Sequence, residues 1–266
     1  MLNNLRSFFG HKRPAATVTD ARSRLAAAKW PAVVYAIGDI HGCLDELKAL
    51  EAMIAADAAD LGDGERWLVT LGDYVDRGPY SAQVISHLMT APAPGFRRIA
   101  LAGNHEQLLL DFLADPAANA HWLEFGGLDT ARSYGAPERA GASGRVARAV
   151  ATDLTKLMPE THLAFLRALP ISLTLKGYRF VHAGLRPGVP FERQSDEDLL
   201  WIREPFLQQA VANEQVTVHG HTPVSQPEVR AWRIGIDTGA FATGRLTAVR
   251  LQLGCPPRFL TTGVPS

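Results

Sequence analysis

Five short stretches of the sequence combine carboxylate, imidazole and amide side chains, and each follows an apolar run that predicts a β-strand. The candidate residues in these stretches are Asp39, His41, Asp73, Asn104, His105, His182 and His221. Carboxylate oxygen, imidazole nitrogen and amide oxygen suit Mn, Fe or Zn, and the lack of thiolates in the set argues against a purely structural zinc site. The residue types therefore predict a metal site that could perform chemistry.

The spacing of these residues favours two metal ions. Asp39 and His41 are two positions apart, so on an extended backbone both side chains point to the same side and can bind one ion. Asn104 and His182 could bind a second ion. Two divalent ions about 4 Å apart repel each other strongly, so an anionic group must lie between them. Asp73, with its two carboxylate oxygens, is the candidate bridge.

Such a centre would attract a phosphate group. Two divalent ions and the carboxylates of Asp39 and Asp73 leave a formal charge of roughly +2, which hydroxide and an anionic substrate would complete. Arg77 offers a planar fork suited to phosphate oxygens. A metal-activated hydroxide would attack the phosphorus, since a bound water has a pKa of about 7. His105, kept protonated by Asp76, could then protonate the leaving oxygen.

Simpler interpretations of the same residues exist. Asp76 and Arg77 could pair with each other on the surface, and Asp39 could cap the helix that follows it. His219 could be a further ligand or a structural residue of its strand, and Cys43 has the features of a small buried residue. No Gly-x-Ser-x-Gly or Walker-type loop is present, which argues against a serine hydrolase or a nucleotide kinase.

The first half of the chain predicts three strand–turn–helix units. The predicted strands are Ala32–Ile37, Arg66–Leu71 and Arg97–Leu101, and the predicted helices are Asp45–Ala59, Ser81–Thr90 and Glu106–Leu113. Consecutive units of this kind favour parallel strands joined by right-handed crossovers. Sites in such sheets lie beyond the carboxyl ends of the strands. Three charged turns fall there: the turn with Asp39 and His41, the turn with Asp73, and the turn with Asn104 and His105.

The second half is richer in strands. A helical segment at Ala147–Leu169, interrupted near Pro159, follows a predicted loop or insertion at Gly126–Gly144. The predicted strands are Ile171–Leu175, Tyr178–His182, Gln215–His219, Arg233–Asp237 and Leu246–Leu253, with one helix at Asp196–Val211. We therefore expect a second sheet stacked on the first.

Composition and length indicate a globular protein with one main domain. The chain has 266 residues, 47% of them hydrophobic, and 27 basic residues balance 27 acidic ones. A net charge of zero argues against a nucleic-acid binder, and no apolar run is long enough for a membrane span. Two distant cysteines favour a reducing compartment, so we expect a cytoplasmic protein. We expect a poorly ordered or weakly helical leader (1–30), a single domain (31–255) and a tail (256–266).

Five motifs in order resemble the phosphoprotein phosphatase family of metallophosphoesterases. They are Gly38-Asp39-x-His41-Gly42, Gly72-Asp73-x-x-Asp76-Arg77-Gly78, Gly103-Asn104-His105-Glu106, Val181-His182-Ala183-Gly184 and Gly220-His221-Thr222. The bacterial and phage-type serine/threonine phosphatases are similar at further positions: Gly103–Leu109, His121-Trp122, Gly126-Gly127, Leu200–Glu204 and Ile236–Gly239. The resemblance extends to about residue 250 and omits the first thirty residues.

The resemblance implies an α/β (α+β) fold, a metallophosphoesterase-type β-sandwich of two mixed sheets flanked by helices. It implies that one metal is bound by Asp39, His41, Asp73 and His221, and a second by Asp73, Asn104 and His182. It further implies that His105 is the general acid, oriented by Asp76, and that Arg77, Arg203 and the metal ligand Asn104 lie against the phosphate. Mn is the expected metal, with Fe or Zn as alternatives.

The resemblance leaves more than one activity open. The main expectation is a phosphatase acting on phosphoserine or phosphothreonine of proteins, or on a small phosphoester, and nothing in the sequence indicates a regulatory subunit. The alternative is a diadenosine tetraphosphatase-like or broad-specificity nucleotide phosphohydrolase. Diadenosine tetraphosphatases usually lack the acidic residue found here as Asp76, and their third motif tends to end in Asp where this chain has Glu106. A non-catalytic module on a degraded scaffold is disfavoured, because every ligand position is filled.

Overall fold

A computed structural model describes residues 21–209 and 215–263 and shows eleven strands and eight α-helices within them. The strands are β1 (Arg24–Ala26), β2 (Val33–Ile37), β3 (Arg66–Thr70), β4 (Phe96–Ala100), β5 (Ser172–Leu175), β6 (Tyr178–Val181), β7 (Val216–His219), β8 (Glu228–Val229), β9 (Arg233–Gly235), β10 (Thr247–Leu251) and β11 (Arg258–Thr261). The helices are α1 (Leu44–Asp57), α2 (Ser81–Met89), α3 (Asn104–Ala114), α4 (Gly127–Ser133), α5 (Gly144–Leu157), α6 (Glu160–Ala168), α7 (Asp196–Trp201) and α8 (Ala240–Thr243).

The strands form two mixed sheets. One has five strands in the order β11-β10-β2-β3-β4, and the other has six in the order β1-β5-β6-β7-β9-β8. Strands β2, β3 and β4 are parallel, and so are β6, β7 and β9. Ile37 pairs with Thr70, and Thr70 with Ala100, so the carboxyl ends of the first three strands are level. The charged turns that follow them therefore begin at one edge of the sheet, as predicted.

The inner faces of the two sheets form one of two hydrophobic clusters. Along β2, the side chains of Val34 and Ala36 belong to the cluster between the sheets, whereas those of Val33, Tyr35 and Ile37 face the helices. All five residues are buried, because both faces of the strand are covered. This explains why the segment is a continuous apolar run instead of an alternating one. The sheet that carries the charged turns is thus supported on both sides.

The helices α1 to α3 follow their strands as the three strand–turn–helix units predict. Helix α1 buries Leu47, Leu50 and Ile54, which have helical spacing, against the outer face of the first sheet. The interrupted helical segment is confirmed as α5 and α6, which are separated at Pro159. The fold is therefore the expected α/β sandwich of two mixed sheets flanked by helices.

Four details of the sequence prediction are wrong. Residues 126–144 are not only a loop, because α4 lies within them. Helix α7 ends at Trp201, well before the expected end at Val211, and residues 210–214 lie outside the described residues. Strand β1 lies inside the expected leader and pairs in parallel with β5, while residues 1–20 lie outside the described residues. Strand β11 lies inside the expected tail and pairs with β10.

The helices of residues 21–209 and 215–263 include none with the length and apolar character needed to cross a membrane.

Candidate metal centre and active site

The turns at the sheet edge carry unusual backbone conformations. In the described part of the chain, the only non-glycine residues with positive φ are His41, Asp73, Asp76, Arg77 and His221. This left-handed region is unfavourable for side chains with a Cβ and is found mainly where surrounding structure enforces it. All five belong to the predicted site. The fold therefore holds the site residues in conformations that a free chain would avoid.

Asp73 lies at the centre of the cluster. Its Oδ2 is 3.5 Å from His41 Nε2, and its Oδ1 is 3.4 Å from His182 Nε2, so the two oxygens face different histidines. Burial alone would raise the pKa of Asp73, but the imidazoles around it hold this pKa well below its usual range. An ionised carboxylate with one oxygen on each side is the geometry that a bridging ligand needs.

Backbone carbonyls orient two of the histidines. His41 Nδ1 lies 2.8 Å from the carbonyl oxygen of Val75, and His182 Nδ1 lies 2.9 Å from that of Leu71. Because a carbonyl oxygen only accepts hydrogen bonds, each Nδ1 carries the proton and each Nε2 keeps its lone pair. These lone pairs are directed towards Asp73. Histidines that bind metals usually donate their other ring N–H to a carbonyl or carboxylate oxygen in the same way.

Asn104 brings a second group of donors together. Its Oδ1 is 2.7 Å from His182 Nε2 and 2.8 Å from His221 Nδ1. Asp73, His182 and His221 each offer a ligand atom, and these atoms lie within 4.8 Å of one another. The resemblance implies that His221 shares an ion with Asp39 and His41. In the structure, the His221 side chain lies with Asn104 and His182. His182 faces Oδ1 of Asp73, whereas His41 faces Oδ2.

Asp39 is near the cluster but lies outside its compact donor groups. Both oxygens of Asp39 accept from the backbone N–H of His221, at 3.2 and 3.0 Å. Asp237 follows β9 at the same edge, and both carboxylates are buried. Burial and the neighbouring charges of Asp237 and Asp73 raise the pKa of Asp39 well above its usual value. Burial likewise raises the pKa of Asp237 to about 6. A divalent cation would offset this concentration of negative charge.

The donor set fits divalent metal ions. Burial lowers the pKa of His41, His182 and His221, and a neutral imidazole is the form that binds a metal. His221 Nε2 is buried and has no hydrogen-bond partner within residues 21–209 and 215–263. In addition, the Arg77 guanidinium lies 2.9 Å from His41 Nε2, so a positive charge is already accommodated beside this lone pair.

His105 and Asp76, the residues predicted to act as an acid pair, contact each other. His105 Nδ1 lies 2.6 Å from Asp76 Oδ2, and both side chains are buried. Burial alone would lower the pKa of His105, but the charges of Asp73 and Asp76 and the hydrogen bond to Asp76 raise it above its usual value. Asp76 and Arg77 therefore do not simply pair with each other on the surface.

Glu106 holds the turn that carries Asp73. Its Oε2 accepts from the backbone N–H groups of Asp73 and Gly103, at 2.8 and 2.9 Å. Its Oε1 accepts from those of Tyr74 and Val75, at 2.7 and 3.3 Å. Burial raises the pKa of Glu106 to about 7, and Asp73 adds to this effect, whereas the backbone N–H groups lower it. One carboxylate thereby connects the beginning of α3 to the turn after β3.

Two arginines line an open cleft over the cluster. Arg77, Arg203, His105 and Asn104 all contribute to the walls of this cleft. Arg77 Nη2 lies 3.1 Å from His105 Nε2, and Arg203 Nη2 donates to the His221 carbonyl oxygen at 3.3 Å. The aromatic rings of Phe125 and Trp201 complete the rim. The cleft thus offers positive charge and hydrogen-bond donors beside the candidate metal ligands.

Two alternative interpretations of the sequence can be settled from the structure. His219 is buried in β7, with Nδ1 3.0 Å from the Gly220 carbonyl oxygen and Nε2 3.4 Å from Arg233, so it is a structural residue. Asp39 does not cap α1, because the residue at the N-terminal cap is Cys43.

Sequence reasoning assigned no role to several residues of the site. Trp122 and Thr130 bond to Asp76, and although the resemblance includes Trp122, nothing in the spacing of the two residues indicates this contact. Asp237 had a usable signal, since it lies at the end of a predicted strand, within the stretch Ile236–Gly239 that the resemblance includes.

Comparison with known proteins identifies one family and several relatives of this chain. The model of the calcineurin-like phosphoesterase family matches residues 32–241. The bis(5'-nucleosyl)-tetraphosphatase PrpE (asymmetrical) of Bacillus thuringiensis strain Al Hakam is 26% identical over 253 residues, covering 86% of this chain and 93% of the relative. The protein of the same name from Bacillus mycoides strain KBAB4 is also 26% identical, with the same coverage.

Solved structures share the fold. One, proposed to be a diadenosine tetraphosphatase, superposes with a TM-score of 0.63 at 20% identity, covering 90% of this chain and 98% of the other. A serine/threonine phosphatase of Saccharomyces cerevisiae has a TM-score of 0.53 at 13% identity, covering 92% and 85%. The family match spans most of the chain and includes the three charged turns after β2, β3 and β4. The chain therefore belongs to the calcineurin-like phosphoesterase family, whose members are metal-dependent hydrolases of phosphoester bonds.

Proposed function

We propose that the protein is a two-metal phosphatase that hydrolyses phosphomonoesters of alcohols, with phosphoserine and phosphothreonine of proteins as its substrates. The observation that carries this proposal is the buried pair of His105 and Asp76, with a 2.6 Å contact between them, beside the central carboxylate of Asp73. An alkoxide is a poor leaving group and needs a proton as the bond to phosphorus breaks. A buried acid pair is the feature that such a leaving group requires.

The residues that would hold the metal ions form two sets that share Asp73. Asp39 and His41 are assigned to the first ion, and Asn104, His182 and His221 to the second. Divalent ions bound there would supply an activated water as nucleophile and would neutralise phosphate charge. We propose Mn as the metal, with Fe or Zn as alternatives, because the donors are oxygen and nitrogen.

The two arginines are proposed to bind the substrate phosphate. The contact from Arg77 requires a lone pair on His105 Nε2, whereas the charges of Asp73 and Asp76 favour a proton there. When the Arg77 guanidinium turns to phosphate oxygens, it releases this nitrogen to carry the proton. Phosphate binding would thus prepare the acid, and Arg203 would orient the phosphate from the other wall of the cleft.

A dinucleoside tetraphosphatase is the second candidate, and the names of the relatives favour it. The relatives at 26% identity are named bis(5'-nucleosyl)-tetraphosphatases, and they are matched over 93% of their length. A phosphate leaving group is far less basic than an alkoxide, so this reaction depends less on an acid.

Substrate comparison separates the two candidates. We expect the purified enzyme, supplied with Mn²⁺, to have a higher kcat/KM for a phosphoserine peptide than for diadenosine tetraphosphate. The measurement is phosphate release from the peptide and separation of nucleotide products by chromatography. Faster cleavage of the dinucleotide would identify the second candidate as the function.

Substitution of the acid tests the mechanism. His105→Asn should lower kcat for the phosphoserine peptide by at least about 100-fold and leave Mn²⁺ binding intact. His162→Asn is the matched control, since His162 is a buried histidine that contacts Ser86 and Tyr134 instead of the cleft. Equal activities of His105→Asn and the native enzyme would show that another group supplies the proton.

A further inference from the structure

We infer that Trp122 and Thr130 are positioning residues that aim the Asp76 carboxylate at His105. This inference rests on the proposed role of His105 as the general acid. Both residues lie in the segment from residue 120 to residue 133, which consists of a 3₁₀ turn (Ala120–Phe125) and α4. The side chains of these two residues donate their hydrogen bonds to Asp76 and to Ser81.

Both oxygens of Asp76 have a fixed donor. Oδ1 accepts from the Thr130 hydroxyl at 2.6 Å, and Oδ2 accepts from the indole Nε1–H of Trp122 at 2.9 Å. Oδ2 also faces His105 Nδ1. The Thr130 hydroxyl in turn accepts from the Asp76 backbone N–H at 2.8 Å, so one side chain fixes both the backbone and the carboxylate of Asp76.

The donors have two effects on the acid. They set the rotation of the carboxylate, and so the direction in which His105 is held. They also stabilise the negative charge of a carboxylate that is fully buried and would otherwise be unfavourable. Without them, the Asp76 carboxylate would be free to rotate away from His105 Nδ1, and His105 would lose the contact that orients its ring.

The segment is built to approach the turn closely. A Cβ on Gly126 would lie 2.4 Å from the Arg77 backbone nitrogen, and a Cβ on Gly127 would lie 2.5 Å from the Trp122 ring. The Gly126 carbonyl oxygen also accepts from the Arg77 N–H at 3.4 Å. Two consecutive glycines therefore let the segment contact the turn that carries Asp76 and keep the indole in place.

Leaving-group dependence tests the inference. We expect Trp122→Phe and Thr130→Val to lower kcat for phenyl phosphate by about tenfold or more. The loss for p-nitrophenyl phosphate should be several times smaller, because its leaving group needs less protonation. Mn²⁺ affinity and KM should stay within about twofold of the native values, since neither residue contacts a ligand or the cleft.

Three variants serve as references. Trp67→Phe is the matched control for Trp122→Phe: Trp67 is buried, and its indole nitrogen has no hydrogen-bond partner within the described residues. It should retain the native ratio of the two activities. Thr130→Ser keeps the hydroxyl and should restore most of the activity lost in Thr130→Val. His105→Asn sets the ratio expected when the acid is absent.

The outcomes distinguish this inference from the proposed function. A uniform loss on both substrates in Trp122→Phe and Thr130→Val, with a selective loss in His105→Asn, would overturn the inference and leave the acid in place. No selective loss in His105→Asn would overturn the proposed acid itself. A selective loss in Trp122→Phe, Thr130→Val and His105→Asn, absent from Trp67→Phe, supports both the inference and the proposed acid.

Discussion

At the scale of single residues, Asp73 and Glu106 define the centre of the site. Asp73 presents one oxygen to His41 and the other to His182. Its backbone has a φ of 53°, which is unfavourable for an aspartate. Glu106 supplies compensation, since its carboxylate accepts from four backbone N–H groups, including that of Asp73. Glu106 therefore stabilises the backbone conformation that places the Asp73 carboxylate between the two histidines.

Glu106→Gln tests this link. The amide NH₂ of glutamine would face backbone N–H donors that now bond to a carboxylate oxygen. We expect the free energy of unfolding to fall by roughly 1–3 kcal/mol for each acceptor lost, and kcat to fall as Asp73 shifts. Urea denaturation and assays with p-nitrophenyl phosphate provide the two measurements.

Glu124→Gln is the control for this substitution, because the Glu124 side chain is exposed. It should leave both stability and kcat near the native values. Native-like unfolding of Glu106→Gln would show that the four hydrogen bonds do not stabilise the turn.

The sequence predicts most site residues for a simple reason: parallel strands place the residues after them at one edge. This is why Asp39, Asp73 and Asn104 could be grouped without a structure. Which side of Asp73 receives His221 could not be predicted, because β7 belongs to the second sheet and its position relative to the first depends on packing.

At the scale of elements, α4 shows how a short helix can support a site. The prediction of a loop at residues 126–144 fails because the helix has only seven residues and begins with glycine, so its pattern is weak. Its position is fixed by contacts instead. Gly126 has a φ of 106° and lies against the backbone of Arg77.

Gly126→Ala should disturb the turn through this contact. The added Cβ would meet the Arg77 nitrogen at 2.4 Å, and the variant should raise KM by displacing the guanidinium. Gly135→Ala is the matched control, since Gly135 also has positive φ but has no atom within 4 Å of the added Cβ. We expect Gly126→Ala to cost about 1–3 kcal/mol more than Gly135→Ala in unfolding free energy. Equal stability and KM in the two variants would contradict the contact.

The strands missed at both ends of the chain have a related explanation. Strand β1 has only three residues, and β11 follows two prolines, so neither gives a strong local signal. Each is defined by the strand it pairs with, β5 or β10. Pairing between segments that are distant in sequence is information that local patterns do not contain.

At the scale of the whole molecule, the neutral net charge conceals a strongly charged centre. Asp39, Asp73, Asp76 and Asp237 are all buried in one region. Carboxylates gathered in this way destabilise the fold unless cations or donors compensate them. Metal binding should therefore contribute to folding stability as well as to catalysis.

Removal of metal tests this expectation. A chelator should abolish activity and lower the Tm, and Mn²⁺ should restore both. A free ion concentration one hundred times Kd would stabilise the fold by about 2.7 kcal/mol per site. Asp73→Asn is the reference variant, and its Tm should respond much less to Mn²⁺. An unchanged Tm of the native enzyme on chelation would argue against ions in the buried cluster.

The central claim is that two ions lie on either side of Asp73, and anomalous scattering from crystals grown with Mn²⁺ tests it most directly. We predict two peaks about 3.5–4 Å apart, each within ligand distance of one Asp73 oxygen. The first peak should lie near Asp39 and His41. The second should lie among the ligand atoms of Asn104, His182 and His221. A single peak, or a pair of peaks that does not include Asp73 as the shared ligand, would contradict the two-metal site.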